Sequence, residues 1–260
     1  MTTSTAPKAQ TVELAGGEIH MLEAGSGPPL LVLHHSTGAL GWRPLHEKLA
    51  ESHRVILPDM PGYSRSTLPE WARDPRDLAI LMIQLLRKQG LSNVTLVGLG
   101  FGGFIAAEMA TMNSDLIGRL VLVGAPGIKP PEGDILDQML IDHADYMRQG
   151  FRDEKTFEKF FGDLDDSDVR SLWEFNRVMT ARVCWKPYMF NRRLPHLLPG
   201  VDVPTLLVWG EKDRVVPISI GREYARLLPN AKLEVIKAAG HLVDYEEPDR
   251  LARLIQSHAR

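Results

Sequence analysis

Four short stretches of the chain carry residues that can do chemistry. Residues 34–38 read His-His-Ser-Thr-Gly, residues 96–103 read Leu-Val-Gly-Leu-Gly-Phe-Gly-Gly, and Asp213 and His241 each follow an apolar run. A histidine whose ring is held by a carboxylate can take and return a proton near neutral pH. These residue types indicate acid–base chemistry, provided that the fold brings the four stretches together.

The glycine-rich stretch 96–103 reads as strand, tight turn and helix. It resembles the nucleophile elbow Gly-x-Ser-x-Gly of the α/β-hydrolases, with Gly100 at the position of the serine. The resemblance implies a positive φ at Gly100 and no serine nucleophile, so the usual acyl-enzyme cannot form there. A dinucleotide-binding fingerprint also fits Gly98, Gly100 and Gly103 in form, but no acidic residue ends the following strand at 123–124.

The remaining stretches follow the same resemblance. The chain order of elbow, Asp213 and His241 matches that of the family, which implies that Asp213 orients His241 and stabilises its protonated form. In the family the loop after the third strand begins His-Gly and donates one backbone N–H to the oxyanion hole. Here His35 replaces the glycine, Ser36 takes the donor position, and Phe101 is the second donor. The Ser36 hydroxyl could hydrogen-bond within its own loop, orient a substrate or water, or act as a displaced nucleophile.

Short apolar runs predict the strands that position these residues. Two strands are expected in 11–23 around Gly16-Gly17, and six more are expected at 30–33, 54–57, 94–97, 120–123, 206–209 and 233–236. Helical spacing is found in 40–52, 77–89 and 104–112. Strands that alternate with helices predict a parallel sheet. With the resemblance, the expected fold class is α/β, a mostly parallel eight-stranded sheet flanked by helices, with a helical cap insertion.

Residues 127–199 interrupt this alternation and are predicted to form the helical cap, between core segments 1–126 and 200–260. They contain helical patterns, such as 135–140 and 169–176, and many aromatic side chains. A cap of this kind would cover an apolar pocket above the dyad. The candidate pocket residues are His35, Tyr146, Trp173 and Trp185.

Bulk composition excludes several functional classes. The net charge of -3 gives no basic excess for nucleic acid, and the single cysteine excludes an intrachain disulfide. No apolar run is long enough to cross a membrane, and the polar first ten residues do not resemble a signal peptide, so we expect a cytoplasmic protein. No metal or other cofactor is expected, because His34 and His35 lack a third ligand at metal-site spacing. The expected partner is a small-molecule substrate, and the oligomeric state is left open.

Four interpretations of the site remain open. In the first, His241 and Asp213 activate a water that hydrolyses an ester, lactone or ketone without an acyl-enzyme. In the second, the same dyad deprotonates a substrate, as in a carbon–carbon lyase or a cofactor-free oxygenase. The third is a pocket that binds a ligand without catalysis, and the fourth is an engineered replacement of serine by Gly100. The first interpretation is preferred.

Overall fold

The computed structural model describes residues 6–112, 114–162 and 167–260. Its strands are β1 Lys8–Leu14, β2 Gly17–Ala24, β3 Pro29–Leu33, β4 Arg54–Pro58, β5 Val94–Leu99, β6 Ile117–Val123, β7 Thr205–Gly210 and β8 Ala231–Ile236. They form one eight-stranded sheet in the order β1-β2-β4-β3-β5-β6-β7-β8. Pairing is antiparallel for β1 with β2 and for β2 with β4, and parallel for the other neighbours. The predicted fold class, an eight-stranded and mostly parallel sheet, is confirmed.

The first hairpin differs slightly from its prediction. The turn is made by Ala15 and Gly16, with φ of 44° and 90°, and Gly17 already belongs to β2. Gly17 pairs with Leu14 across the hairpin, so it is part of the ladder instead of the turn. The hairpin predicted around Gly16-Gly17 is therefore present, with its turn one residue earlier in the chain.

Helices flank the sheet. They are α1 Pro44–Ala50, α2 Pro75–Lys88, α3 Phe101–Met112, α4 His143–Gly150, α5 Glu154–Phe161, α6 Ser167–Cys184, α7 Leu194–Leu197, α8 Ile218–Leu227, α9 Val243–Glu246 and α10 Pro248–His258. Two short 3-10 turns lie at Ser114–Leu116 and Leu198–Gly200. Within the described ranges, none of these helices has both the length and the apolar character needed to span a bilayer.

The central strands, such as β3 and β5, are buried on both faces, as their continuous apolar runs predict. In β3, Leu31 and Leu33 belong on one face to a buried cluster that extends to α2, α3 and α8. Leu30 and Val32 pack on the other face with side chains of α1 and α10. This double burial fixes the strand ends, and the loops that follow β3, β5, β7 and β8 carry the candidate site residues.

The segment between β6 and β7 contains α4 to α7. The helical pattern at 169–176 lies in α6, but the helix expected at 135–140 is wrong. There the Leu136 N–H donates to the Val215 carbonyl at 2.9 Å, and the Gln138 N–H donates to the Tyr188 hydroxyl at 3.0 Å. Because these bonds tie the backbone to other segments, the stretch is irregular and the first helix begins only at His143.

Candidate active site

Gly100 lies at the sharp turn between β5 and α3. Its φ is 50°, its N–H donates to the Val123 carbonyl at 2.8 Å, and its carbonyl accepts from the Gly103 N–H at 2.8 Å. The turn is tightly packed, because a Cβ on Gly102 would overlap the carbonyl of Leu33. The strand–turn–helix geometry and the positive φ are those expected for residue 100.

His241 and Asp213 are brought together from the loops after β8 and β7. His241 Nδ1 lies 2.9 Å from Asp213 Oδ2, and both side chains are almost completely buried. The other carboxylate oxygen accepts from the N–H groups of Val215 and Val216 at 2.9 and 2.8 Å. These bonds fix the carboxylate as an acceptor, so His241 donates from Nδ1 and its neutral form has a lone pair on Nε2.

The space beside Gly100 is occupied by two imidazole rings. A Cβ at Gly100 would overlap His35 Nδ1 and would lie 3.0 Å from His241 Nε2. The two ring centroids are 5.2 Å apart, with the planes inclined at 64°. The position expected for a nucleophilic side chain is therefore filled by His35, with His241 at its edge.

His35 belongs to a second histidine–carboxylate pair, which the sequence analysis missed. Its Nε2 lies 2.9 Å from Asp244 Oδ1, and the other Asp244 oxygen bonds to Arg43, which stacks 3.6 Å from the Tyr245 ring centroid. Burial lowers the pKa of His35 despite the nearby carboxylate. Burial also opposes ionisation of Asp244, but the charge of Arg43 and the hydrogen bonds from Arg43 and His35 prevail and hold its pKa well below the usual value.

The two expected oxyanion donors directly follow His35 and Gly100 in the chain. Ser36 follows His35 in the loop after β3, and Phe101 is the first residue of α3. Neither backbone N–H takes part in the loop and turn hydrogen bonds of the described residues. The Ser36 hydroxyl lies 3.4 Å from Gln138 Oε1. The neighbouring His34 has a structural role, because its Nε2 accepts from the Met60 N–H at 2.9 Å and its Nδ1 lies 2.7 Å from the His35 carbonyl.

A small cavity adjoins the two imidazoles. It is lined by His35, Ser36, Thr37, Tyr146, Met147, Gly150, Val215, His241 and Leu242. Its volume is about 10 Å³, which is about the room that one water molecule needs. Of the expected pocket residues, His35 and Tyr146 line this cavity. Trp173 is buried behind it, in a cluster with Met147 and Leu242.

Trp185 lies elsewhere. It is 53% exposed, forms an isolated bridge with Tyr188 just after α6, and contacts the Lys186 ammonium. The bridge turns the chain immediately after the helix and leaves the indole on the surface. The structure therefore does not bring Trp185 to the cavity.

The loop that carries His241 is bonded to the end of α4. The Leu242 N–H donates to the Gly150 carbonyl at 2.9 Å, and Glu246 accepts from the Arg152 N–H at 2.8 Å and also from the Gly240 N–H. Residues 150–152 therefore contact both the cavity and the backbone that positions the imidazole. In the described part of the chain, no group of three or more His, Cys, Asp or Glu side chains is placed to hold a metal ion.

Comparison with known proteins places this site in context. A family model described as "Alpha/beta hydrolase family" matches residues 31–254. The 2-hydroxy-6-oxononadienedioate/2-hydroxy-6-oxononatrienedioate hydrolase 2 of Pseudomonas putida is 31% identical over 264 residues, covering 92% of this chain and 90% of that protein. A hydrolase with the same substrate name from Pseudomonas sp is 27% identical, covering 92% and 90%.

A solved structure shows the same fold. The 2-hydroxy-6-oxo-6-phenylhexa-2,4-dienoate hydrolase of Rhodococcus sp. strain RHA1 superimposes with a TM-score of 0.76. It is 21% identical, and the match covers 97% of this chain and 98% of that one.

Proposed function

Because the chain belongs to the alpha/beta hydrolase family, we propose that it hydrolyses a small, largely apolar carbonyl compound by direct attack of water. His241, oriented by Asp213, is the general base, and no acyl-enzyme forms. The observation that carries this proposal is the turn at Gly100. It has no side chain to attack a carbonyl. The position that such a side chain would occupy is taken by the His35 ring, and His241 Nε2 lies 3.0 Å from it.

The first step follows from the tautomer of His241. Its Nε2 lone pair removes a proton from water, and Asp213 stabilises the imidazolium that forms. The water oxygen bonds to the carbonyl carbon, and the carbonyl π electrons move to oxygen. The N–H groups of Ser36 and Phe101, without partners in the described loops, then bind the oxyanion.

The second step returns the proton. The tetrahedral intermediate collapses, the bond to the leaving group breaks, and the proton on His241 passes to the leaving atom. These two reaction steps suit a ketone as well as an ester or lactone. The relatives favour the ketone, because their substrate names contain an oxo group and no ester. A compound of that kind is hydrolysed by breaking a carbon–carbon bond next to the carbonyl.

The Ser36 hydroxyl is the alternative nucleophile, and its surroundings do not favour that role. A serine nucleophile needs an adjacent base to take its proton. The partners of the Ser36 hydroxyl are the Gln138 amide oxygen, at 3.4 Å, and the Tyr146 side chain, and neither is a histidine ring. We also propose that residues 127–199 act as a cap, because Tyr146, Met147 and Gly150 of this segment close the cavity.

The test uses 2-hydroxy-6-oxo-6-phenylhexa-2,4-dienoate in ¹⁸O-labelled water, with benzoate release measured by chromatography. Direct attack of water forms a gem-diol, so unreacted ketone recovered early in turnover should carry ¹⁸O. A serine adduct would leave the carbonyl oxygen unexchanged. His241→Gln should lower kcat by roughly 10²–10⁴-fold, the usual contribution of a general base.

A matched measurement excludes the covalent route. A fluorophosphonate probe should leave the intact mass of the protein unchanged, because residue 100 offers no hydroxyl. Stoichiometric labelling that maps to Ser36, or full activity in His241→Gln, would contradict the proposal. Tight binding of the ketone with no benzoate release in the wild type would indicate a ligand-binding protein instead.

A further inference from the structure

His35 carries a buried nitrogen that the proposed mechanism has not used. The ring is buried, and its Nδ1 has no hydrogen-bond partner among the described residues. Leaving such an atom unpaired costs stability, typically about 1–3 kcal/mol. The bond from Nε2 to Asp244 accounts for one ring nitrogen and leaves Nδ1 without a structural role. The unpaired nitrogen therefore points to a ligand.

The protonation of His35 is fixed by its partners. Asp244 bonds to both Arg43 and His35, and its low pKa leaves it an acceptor, so the proton of the neutral ring lies on Nε2. Nδ1 then carries a lone pair. The charged and titratable groups that face His35 are Asp244, Arg43 and His241. Burial, with His241 and Arg43, lowers the pKa of His35 and outweighs Asp244, which raises it, so the ring is neutral.

The two lone-pair nitrogens lie close together, on rings that line one cavity. His35 Nδ1 and His241 Nε2 are the side-chain atoms nearest to the position where a Gly100 Cβ would stand, and both rings line the cavity with room for about one water. A water molecule has two O–H donors. Two acceptors that face one site match those donors and leave the oxygen lone pairs free.

We propose that His35 is a catalytic residue that holds the attacking water against His241. Its Nδ1 accepts a hydrogen bond from one O–H, while His241 Nε2 removes the proton of the other. The oxygen lone pair then faces the carbonyl carbon, where the new C–O bond forms as the π electrons move to oxygen. Asp244 and Arg43 are positioning residues that keep the accepting tautomer. This inference rests on the proposed function.

Two substitutions at one position separate this role from a structural one. In His35→Asn, the amide oxygen occupies the place of Nδ1 and still accepts a hydrogen bond. In His35→Gln, the amide reaches the place of Nε2 and still donates to Asp244, but the acceptor is lost. With 2-hydroxy-6-oxo-6-phenylhexa-2,4-dienoate we expect kcat of the Asn variant within about tenfold of wild type, and a loss of about 100-fold or more in the Gln variant.

The reverse order, or equal kcat values in two folded variants, would overturn the proposal. A purely structural role predicts that the Gln variant is the better one, since it keeps the contact with buried Asp244. The unfolding midpoint of each variant is measured beside kcat, so that loss of the fold is not taken for loss of the acceptor.

The ¹⁵N NMR spectrum of the histidine rings gives a readout that needs no turnover. We expect His35 with a protonated Nε2 and a bare Nδ1 at pH 7.5. In Asp244→Asn, an amide oriented to donate to Nε2 should move the proton to Nδ1. A proton on Nδ1 in the wild type would refute the role of His35 and leave direct water attack intact. Full activity of His241→Gln would refute the proposed function instead.

Discussion

Replacement of Gly100 by serine tests how the site differs from a serine hydrolase. Two costs follow from the structure. A non-glycine residue at a φ of 50° costs about 1–2 kcal/mol, and a Cβ that overlaps the His35 ring adds about 1–3 kcal/mol of overpacking. We therefore expect Gly100→Ser to lower the free energy of unfolding by about 2–5 kcal/mol.

The origin of the second cost can be measured with a double-mutant cycle. His35→Gly removes the ring that the new side chain would meet, so Gly100→Ser should destabilise this background by only about 1–2 kcal/mol. Gly100→Ala is the matched control, because it adds the Cβ without the hydroxyl. Urea unfolding of the four chains of the cycle gives the coupling energy, which we expect to be about 1–3 kcal/mol.

Activity follows the same logic. The hydroxyl of the single variant has no room beside His35, so we expect little hydrolysis of 4-nitrophenyl acetate. In Gly100→Ser with His35→Gly, the serine can reach His241, and a burst of 4-nitrophenol equal to the enzyme concentration should appear. A strong burst in the single variant, with wild-type stability, would refute the steric argument. It would instead indicate a serine hydrolase that lacks only its hydroxyl.

Two further predictions concern His143 and Gly124. Burial lowers the pKa of His143 to about 4, from 6.5 in the unfolded chain. Between these pH values the unfolded state binds more protons than the folded state. The free energy of unfolding should therefore fall as the pH drops through this window. His143→Phe should weaken that dependence by up to about 3 kcal/mol at pH 4, as measured by urea unfolding between pH 4 and 7, and an unchanged slope would contradict it. Gly124→Ala would place a Cβ 2.9 Å from His241 Nδ1 and 3.2 Å from Asp213 Oδ2, at a φ of 54°. This variant should lose at least about tenfold in kcat, by displacement of the dyad, and wild-type turnover would show that the dyad tolerates the shift.

Local patterns were sufficient for the sheet. A continuous apolar run such as 30–33 is typical of a strand buried on both faces of a parallel sheet, and β3 is buried in that way. The irregular 135–140 stretch was not predictable by the same means. Its apolar residues have helical spacing, but partners on Val215 and Tyr188 determine its backbone.

The site was predictable where a motif is local. The turn at Gly100 is specified by its own neighbours, whereas the second dyad joins His35 to a carboxylate 209 residues away. Asp244 follows His241 by only three positions, in an acidic stretch that continues with Glu246 and Glu247. Nothing in that spacing distinguishes a buried partner from a solvated charge. The contact between His35 and Asp244 depends on the fold, which brings α9 beside the loop after β3.

The bonds between the His241 loop and the end of α4 constrain how a substrate could enter and a product leave the cavity. Under the proposed function, a ketone is far larger than the cavity, so it reaches His241 only when lining residues such as Gly150 and Leu242 separate. Those two residues share the backbone hydrogen bond that steadies the loop of the imidazole. The residues that must separate to admit a substrate therefore also hold the His241 loop in place. His241 is less firmly positioned in the open arrangement than in the closed one. Under the proposed function, each turnover therefore requires one cycle of opening and closing.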